Sequence, residues 1–182
     1  MTNYNIVNGD GMKPEVLEKC IQKFGKDVYS FCIYTTRNKE DADDLYQRTF
    51  LVVFEKDEID FDHNPKSYII TIAANLWRNE WRKSLWRKKK AGIIPFENED
   101  LANLSDDKES TEDMLIRDEE QNRIRKLVGE LPEKLRIVTL MYYMEDMSVD
   151  EIASALGIPP GTVKSRMHKA KQKLKESIGY EE

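Results

Sequence analysis

Residues 148–176 carry the pattern that most restricts the fold, because it marks where two consecutive helices begin and end. The tetrapeptide "SVDE" is a capping box, in which Ser148 accepts from the backbone N–H of Glu151 and the Glu151 side chain reaches back to Ser148. Gly157 suits the left-handed residue that ends a helix. Between them the apolar residues share one face; they are Ile152, Ala153 and Leu156. The segment predicts a short helix and then the tight turn "IPP".

The helix that follows this turn is apolar on one side and basic on the other. Its apolar residues recur at i, i+4, i+7 and i+11, which predicts a single inward stripe of Val163, Met167, Ala170 and Leu174. Every formal charge between Lys164 and Lys175 is positive. Two helices joined by a tight turn, the second with a basic outer face, are typical of a helix-turn-helix that binds DNA. A helical hairpin with a solvated basic face is the alternative.

Residues near the start of the second helix are candidates for reading DNA in the major groove. Those expected to reach base edges are Lys164, Ser165, His168 and Lys169. The residues expected to contact phosphates are Thr162, Arg166, Lys171 and Lys173. Phosphate contacts fix the register of a protein on DNA but do not read the base sequence.

The rest of the chain predicts an all-α fold of two small helical domains. Val, Ile and Thr occur at helical spacing, and no period-2 pattern typical of a strand is present. Helices are expected from about Pro14 to Thr36, from Lys39 to Lys56 and from Pro65 onward, the last with an interruption at 75–79. A further helix is expected to begin near Asp113, and another at Pro132.

An acidic segment separates the two halves. Residues 97–112 are polar and aperiodic, which is typical of a flexible linker. The domains are therefore predicted at 13–94 and 113–180, with a linker at 95–112. The net charge of −5 does not show how charge is distributed along the chain, since positive charge collects at 78–90 and 164–175. Binding to nucleic acid depends on where charge sits, so an acidic total does not exclude it.

Several functions are not expected from this composition. No apolar run is long enough to span a membrane, and the first residues lack the features of a signal peptide, so a cytoplasmic protein is expected. Cys20 and Cys32 are too far apart along one helix to bridge and are expected as reduced core thiols. Asp41, Asp43 and Asp44 lie too close together on one helix to converge on a metal. We therefore expect no enzyme, metal or cofactor.

The stretch "EIASALGIPPGTVKSRMHKAKQKL" resembles region 4 of bacterial sigma factors, specifically the extracytoplasmic-function group of the sigma-70 family. This resemblance implies that the C-terminal domain recognises minus-thirty-five promoter DNA. The residues implied are Thr162, Lys164, Ser165, Arg166, His168, Lys169 and Lys173.

The stretch "DADDLYQRTFLVVFEK" is similar to region 2.2 of the same family. The resemblance implies that this helix binds the clamp helices of the polymerase β′ subunit through Asp41, Asp44, Leu45, Gln47 and Arg48. The family usually carries an acidic residue where Arg48 stands. A solvated helix face is the alternative interpretation.

The stretch "KSYIITIAANLWRNEWRK" resembles regions 2.3 and 2.4, which open the promoter and read its minus-ten element. Residues 76–79 correspond to the loop in which the family captures an unstacked base. The residues implied in minus-ten binding are Tyr68, Asn75, Trp77, Arg78, Asn79, Arg82 and Lys83. Tryptophans interleaved with cations are suited to single strands, because bases stack on aromatic rings and cations hold phosphates. Core packing is the alternative for each Trp.

The resemblance implies as partners the core RNA polymerase (β′ clamp helices and β flap), promoter DNA and an anti-sigma factor, with no small-molecule substrate and no membrane insertion. The alternative is a stand-alone helix-turn-helix regulator that binds duplex DNA without polymerase. That alternative gives no reason for the tryptophan-rich basic segment.

Overall fold

The structure, a computed structural model, describes residues 12–56, 64–92 and 126–178. Its helices are α1 Pro14–Thr36, α2 Lys39–Glu55, α3 Pro65–Lys90, α4 Glu133–Tyr143, α5 Val149–Leu156 and α6 Pro160–Ile178. A helical turn at 126–130 precedes α4. No strand occurs in these three ranges, and the all-α expectation is confirmed. The acidic segment at 97–112 and the helix start expected near Asp113 lie outside the described residues.

Local signals set the helix starts in the first domain. Pro14 and Pro65 stand in the first turns of α1 and α3, where their missing N–H groups need no partner. The Asn38 side chain caps α2 by accepting from the N–H of Asp41 at 3.0 Å. The Asn64 side chain accepts from the N–H of Ser67 at 3.3 Å and caps α3 in the same way.

The expected interruption of α3 at 75–79 is wrong, because the helix continues without a break from Pro65 to Lys90. The stretch contains no Gly or Pro that would stop it. Asn75 does not cap a helix end; its side-chain amide donates to the carbonyl of Ala155 at 2.9 Å. The segment that resembled a base-capturing loop is therefore helical.

The first domain is a three-helix unit in which α1, α2 and α3 pack on one another. Its core contains Cys20, Val28, Phe31, Cys32, Ala42, Leu45, Val53, Ile69, Ile70, Ala73 and Ala74. At Gly25, where α1 meets α2, an added Cβ would lie 2.7 Å from the hydroxyl oxygen of Tyr46, so the Tyr46 side chain would have to shift. Tyr46 in turn contacts the rings of Tyr29 and Phe50 edge to face.

The thiols of Cys20 and Cys32 are unbridged and buried, as expected. Burial raises the pKa of Cys32 to about 12, and burial also raises the pKa of Cys20. Since the thiolate is the reactive form, both residues are held in an inert state.

We expect neither thiol to react with an aromatic disulfide reagent at pH 8 in the native protein, because each is buried and protonated. Unfolding in denaturant should release two reactive thiols. The measurement follows the absorbance of the aromatic thiolate that the reagent releases, over time, with and without denaturant. Rapid reaction of the native chain would contradict the burial.

The second domain is built from α4, α5 and α6, and its helix-turn-helix forms as expected. The N–H of Ser148 donates to the Glu151 carboxylate at 2.7 Å, and the N–H of Glu151 donates to the Ser148 hydroxyl at 3.2 Å. Gly157 ends α5 in the left-handed conformation with φ 60°. The α6 stripe faces inward, with Val163 and Ala170 buried and Met167 and Leu174 half-buried.

Ser148→Ala is expected to lower the free energy of unfolding by about 1 kcal/mol, because the first-turn N–H groups of α5 lose their cap. Hydrogen bonds from the backbone and then the side chain of Ser148 lower the pKa of Glu151. The carboxylate's contribution is therefore present above its unfolded-state pKa and is lost as pH falls through the lowered folded-state pKa. Urea denaturation measures the loss of stability in the variant, and urea denaturation at a series of pH values measures the loss of the Glu151 contribution. Ser177→Ala, at an exposed serine of α6, is the control, and equal midpoints for the two variants would contradict the capping role.

The two domains contact each other directly, and we call this the closed arrangement. Helix α1 packs against α4, and α3 packs against α5. The polar contacts across this boundary join Arg136 to the carbonyl of Thr35 at 3.1 Å, Asn75 to the carbonyl of Ala155 at 2.9 Å, Arg78 to the carbonyl of Leu156 at 2.7 Å, and Lys66 to Glu145 at 3.1 Å. Three of these four contacts join a side chain to a backbone carbonyl, and the fourth is an ion pair between two side chains.

Candidate nucleic-acid interface

Helix α6 presents its basic side chains outward. Lys164, Ser165, His168, Lys169 and Lys173 are exposed, whereas Thr162 and Arg166 are half-buried. Lys171 and Lys175 are also exposed. The lysines of this helix are therefore accessible to solvent, as binding to the phosphates of duplex DNA would require.

These residues divide between two faces of α6. A groove of about 820 Å³ runs between α6, the start of α4 and Trp81 of α3. The α6 residues that line it include Thr162, Ser165, Arg166, Lys169 and Lys173. Lys164 and His168 lie outside this groove. The closed arrangement thus places part of the predicted DNA-reading surface opposite the first domain.

A buried carboxylate lies near the same boundary. Glu133 is 3% exposed, and its Oε1 atom has no hydrogen-bond partner. Burial raises the pKa of Glu133, while the positive charges of Arg136, Arg78 and Arg166 act in the opposite direction. Arg78 and Arg166, which the sequence assigns to separate DNA surfaces, therefore both act on one carboxylate in the closed arrangement.

The polar and charged residues of α3 that are predicted to bind the minus-ten strand fall into two groups. Asn75 and Arg78 are half-buried and donate to the last carbonyls of α5, where the negative end of that helix favours a cation. Burial lowers the pKa of Arg78. Asn79, Arg82 and Lys83 are exposed. Only the second group is accessible to a nucleic-acid strand in this arrangement.

The two aromatic residues assigned to minus-ten binding are half-buried. Trp77 packs against the core, and its Nε1 atom is buried without a hydrogen-bond partner. Tyr68 lies under the ammonium group of Lys56, whose nitrogen is 6.0 Å from the ring centroid. Both rings are only partly accessible, so a stacking role for either one stays a prediction.

Helix α2 exposes a mixed-charge surface next to α3. Arg48 pairs with Asp44 at 3.3 Å and with Glu80 of α3 at 3.2 Å. Burial acts to lower the pKa of Arg48, but these two hydrogen-bonded carboxylates raise it overall. Asp44 and Gln47 are exposed, and Asp41 is half-buried. Leu45 is only 2% exposed, so its side chain packs in the core beneath α2.

The residues that hold the two domains together were not predicted from the sequence. Arg136 is 6% exposed and donates to the carbonyls of Thr35, Gly129 and Leu131. Glu145 is buried against Lys66, and burial raises its pKa. The sequence does signal that Arg136 has a buried partner, because it places a charge inside the apolar run "KLRIVTLMYY" and a buried charge must be paired.

Over the three described ranges, no cluster of three or more metal-binding side chains is found. Among the helices of these ranges, none combines the length and apolar character of a membrane span.

Two protein-family models match the chain. One is sigma-70 region 2, which matches residues 20–87 and so covers most of α1 to α3. The other is sigma-70 region 4, which matches residues 121–174 and covers the helix-turn-helix.

Relatives of known name match over most of their length. The ECF RNA polymerase sigma factor SigW of Bacillus subtilis is 29% identical over 158 residues, covering 83% of this chain and 82% of the relative. The RNA polymerase sigma-E factor of Streptomyces avermitilis is 30% identical over 139 residues, covering 76% and 71%. The sigma factor RpoE from Bartonella quintana, solved in complex with the anti-sigma factor NepR, has the same fold: its TM-score is 0.66 at 18% identity, covering 92% of this chain and 99% of that one.

Proposed function

The chain belongs to the sigma-70 family, in its extracytoplasmic-function group, and we propose that it binds core RNA polymerase and directs promoter-specific initiation through the surfaces described above. The observation that carries the proposal is the outward basic face of α6 on a capped helix-turn-helix. The domain bounds 13–94 and 113–180, with a linker at 95–112, belong to this proposal.

Helix α6 reads minus-thirty-five duplex in the major groove. Lys164, Ser165, His168 and Lys169 reach base edges, while Thr162, Arg166 and Lys173 fix the register on phosphates. The exposure of Lys164, His168, Lys169 and Lys173 supports this assignment.

Helix α3 binds the minus-ten strand through Asn79, Arg82 and Lys83, joined by Asn75 and Arg78 once the domains separate. Tyr68 and Trp77 contribute the aromatic part of that surface. Since the Asn75 amide nitrogen donates to the carbonyl of Ala155 and one guanidinium nitrogen of Arg78 donates to the carbonyl of Leu156, minus-ten binding and the closed arrangement compete for these side chains. The chain acts at a promoter in an open form.

The first domain docks on the β′ clamp helices through the outer face of α2, formed by Asp41, Asp44, Gln47 and Arg48. Leu45 contributes from beneath, by holding the helix to its core. The second domain engages the β flap. Such docking places the protein in the cytoplasm with the polymerase, and the polymerase performs the chemistry.

An anti-sigma factor is a further partner in this proposal. The structure of similar fold from Bartonella quintana is a complex of a sigma factor with an anti-sigma factor. A protein that binds across the boundary between α3 and α5 would hold Asn75 and Arg78 away from DNA.

Transcription in vitro with bacterial core enzyme on a panel of promoter DNAs tests the proposed function. Specific transcripts that require this chain are the expected result. The stand-alone regulator is not favoured, because the region 2 match extends over the first domain. Tight duplex binding by the chain alone, without specific transcripts in the presence of core enzyme, would overturn the proposed function.

A further inference from the structure

The boundary between the two domains buries a carboxylate of the second domain against the first. Glu145 lies between α4 and α5, and its side chain is only 2% exposed. The ammonium nitrogen of Lys66, on α3, lies 3.1 Å from the Oε2 atom of Glu145. The same nitrogen lies 3.9 Å from the Oδ2 atom of Asp27 on α1. One lysine is therefore shared between a carboxylate of each domain.

The closed arrangement compensates the charge of Glu145 incompletely, because its Oε2 atom is buried and accepts no hydrogen bond of good geometry from Lys66. Burial raises the pKa of Glu145, and contact with Lys66 acts in the opposite direction. The negative charges of Asp27 on α1 and of the adjacent Asp146 add to the upward shift of this pKa. A buried carboxylate that is ionised and poorly paired costs free energy, whereas its protonated form costs much less. Closing the two domains over Glu145 is therefore easier when this group is protonated.

Glu133, another buried carboxylate at this boundary, has different surroundings. Burial raises its pKa, but cations from three helices act on it in the opposite direction; they are Arg136 and Lys134 of α4, Arg78 of α3 and Arg166 of α6. These positive charges favour the ionised form of Glu133 inside the closed arrangement. The cation beside Glu145 is Lys66, which is shared with Asp27. Glu145 is therefore the carboxylate whose ionisation opposes closure more strongly.

We propose that Glu145 makes the closed arrangement sensitive to protons: protonation of its carboxylate favours contact between the domains, and ionisation favours their separation. Lys66 and Asp27 move away from Glu145 when the domains separate, so its pKa then returns toward the ordinary value of 4.5. The closed form is therefore stabilised fully below pH 4.5, and this stabilisation is lost as pH rises through the raised pKa. One linked proton changes the ratio of closed to separated chains by at most about tenfold per pH unit.

The consequence is a link between acidity and access to DNA. Separation of the domains releases Asn75 and Arg78 from the carbonyls of Ala155 and Leu156, and acidification withdraws them again. The inference concerns contact between the domains, so it does not depend on the proposed function.

The test measures energy transfer between two dyes on the full chain, without polymerase or DNA, from about pH 5 to about pH 8. The dyes are attached through Gln22→Cys on α1 and Gln172→Cys on α6, which are exposed and uncharged positions, while Cys20 and Cys32 are buried. Transfer efficiency in this labelled parent is expected to fall as pH rises.

Glu145→Gln removes the titrating group and keeps an oxygen that can accept from Lys66. It is expected to abolish the pH dependence and to give at pH 8 the efficiency that the parent shows at pH 5. Lys66→Met removes the shared cation and leaves ionised Glu145 unpaired. It is expected to lower the efficiency below that of the parent at pH 8 and to leave it unchanged at pH 5.

Glu130→Gln is the matched control, because Glu130 is an exposed carboxylate of the second domain that borders the cleft between the domains. It should leave the pH dependence unchanged. A transfer efficiency that does not change with pH in the parent would overturn the inference. So would a Glu145→Gln variant that is more open than the parent at pH 8, since the ion pair with Lys66 would then be what favours closure. Either result would leave the proposed function standing, because promoter-specific transcription is measured separately.

Discussion

Arg136→Ala is expected to lower the free energy of unfolding by about 3 kcal/mol. The guanidinium donates to three carbonyls, those of Thr35, Gly129 and Leu131, at 2.9–3.1 Å, and a hydrogen bond from a charged donor is worth about 1.5–3 kcal/mol. Part of that gain is offset by the burial that lowers the pKa of Arg136 to about 10. Urea denaturation followed by circular dichroism measures the loss.

The same variant should also loosen the closed arrangement, because the bond to Thr35 joins α1 to α4. X-ray scattering is expected to show a larger radius of gyration. Arg136→Lys should recover little, since one ammonium cannot reproduce the planar fork that meets three carbonyls. Arg87→Ala, at an exposed arginine, serves as control and should change stability by less than about 0.5 kcal/mol. A loss below about 1 kcal/mol for Arg136→Ala would show that these bonds do not hold the domains.

Lys169→Ala is expected to reduce transcription from a cognate promoter by about 5- to 150-fold, corresponding to the roughly 1–3 kcal/mol of one direct base contact. Lys169 is exposed near the start of α6, where a helix in the major groove reaches base edges. In-vitro transcription measures the effect.

Binding to core polymerase should be unchanged for Lys169→Ala, as measured by co-migration with core enzyme. Lys26→Ala, at an exposed lysine of α1, should change neither quantity. If Lys169→Ala instead abolished core binding, the roles of the two domains would have been misassigned.

The closed arrangement gives several side chains two alternative partners. Asn75 and Arg78 bind the carbonyl end of α5 here and would bind DNA in the proposed open form. Arg166 acts on the buried Glu133 here and would meet phosphate there. A partner that stabilises the closed arrangement would therefore withdraw groups from both DNA surfaces at once.

Helix positions could be predicted because their signals are local. The capping box of Ser148 and Glu151, the left-handed Gly157 and the prolines at helix starts each act within one turn, so neighbouring residues suffice to define them. The inward stripe of α6 followed from helical periodicity alone. The interruption expected in α3 was wrong, because residues 75–79 contain no Gly or Pro and the helix continues through them.

The sequence by itself determined two helical units, their capped ends and the basic outer face of α6, because these depend on spacing within one helix. Only the tertiary structure decided which predicted DNA residues are accessible, since that depends on contacts between residues far apart in the chain. Asn75 and Arg78 meet carbonyls about 80 positions away, and Arg136 meets one 101 positions away. A backbone carbonyl carries no residue signature, so no pattern in the sequence could have identified it as the partner.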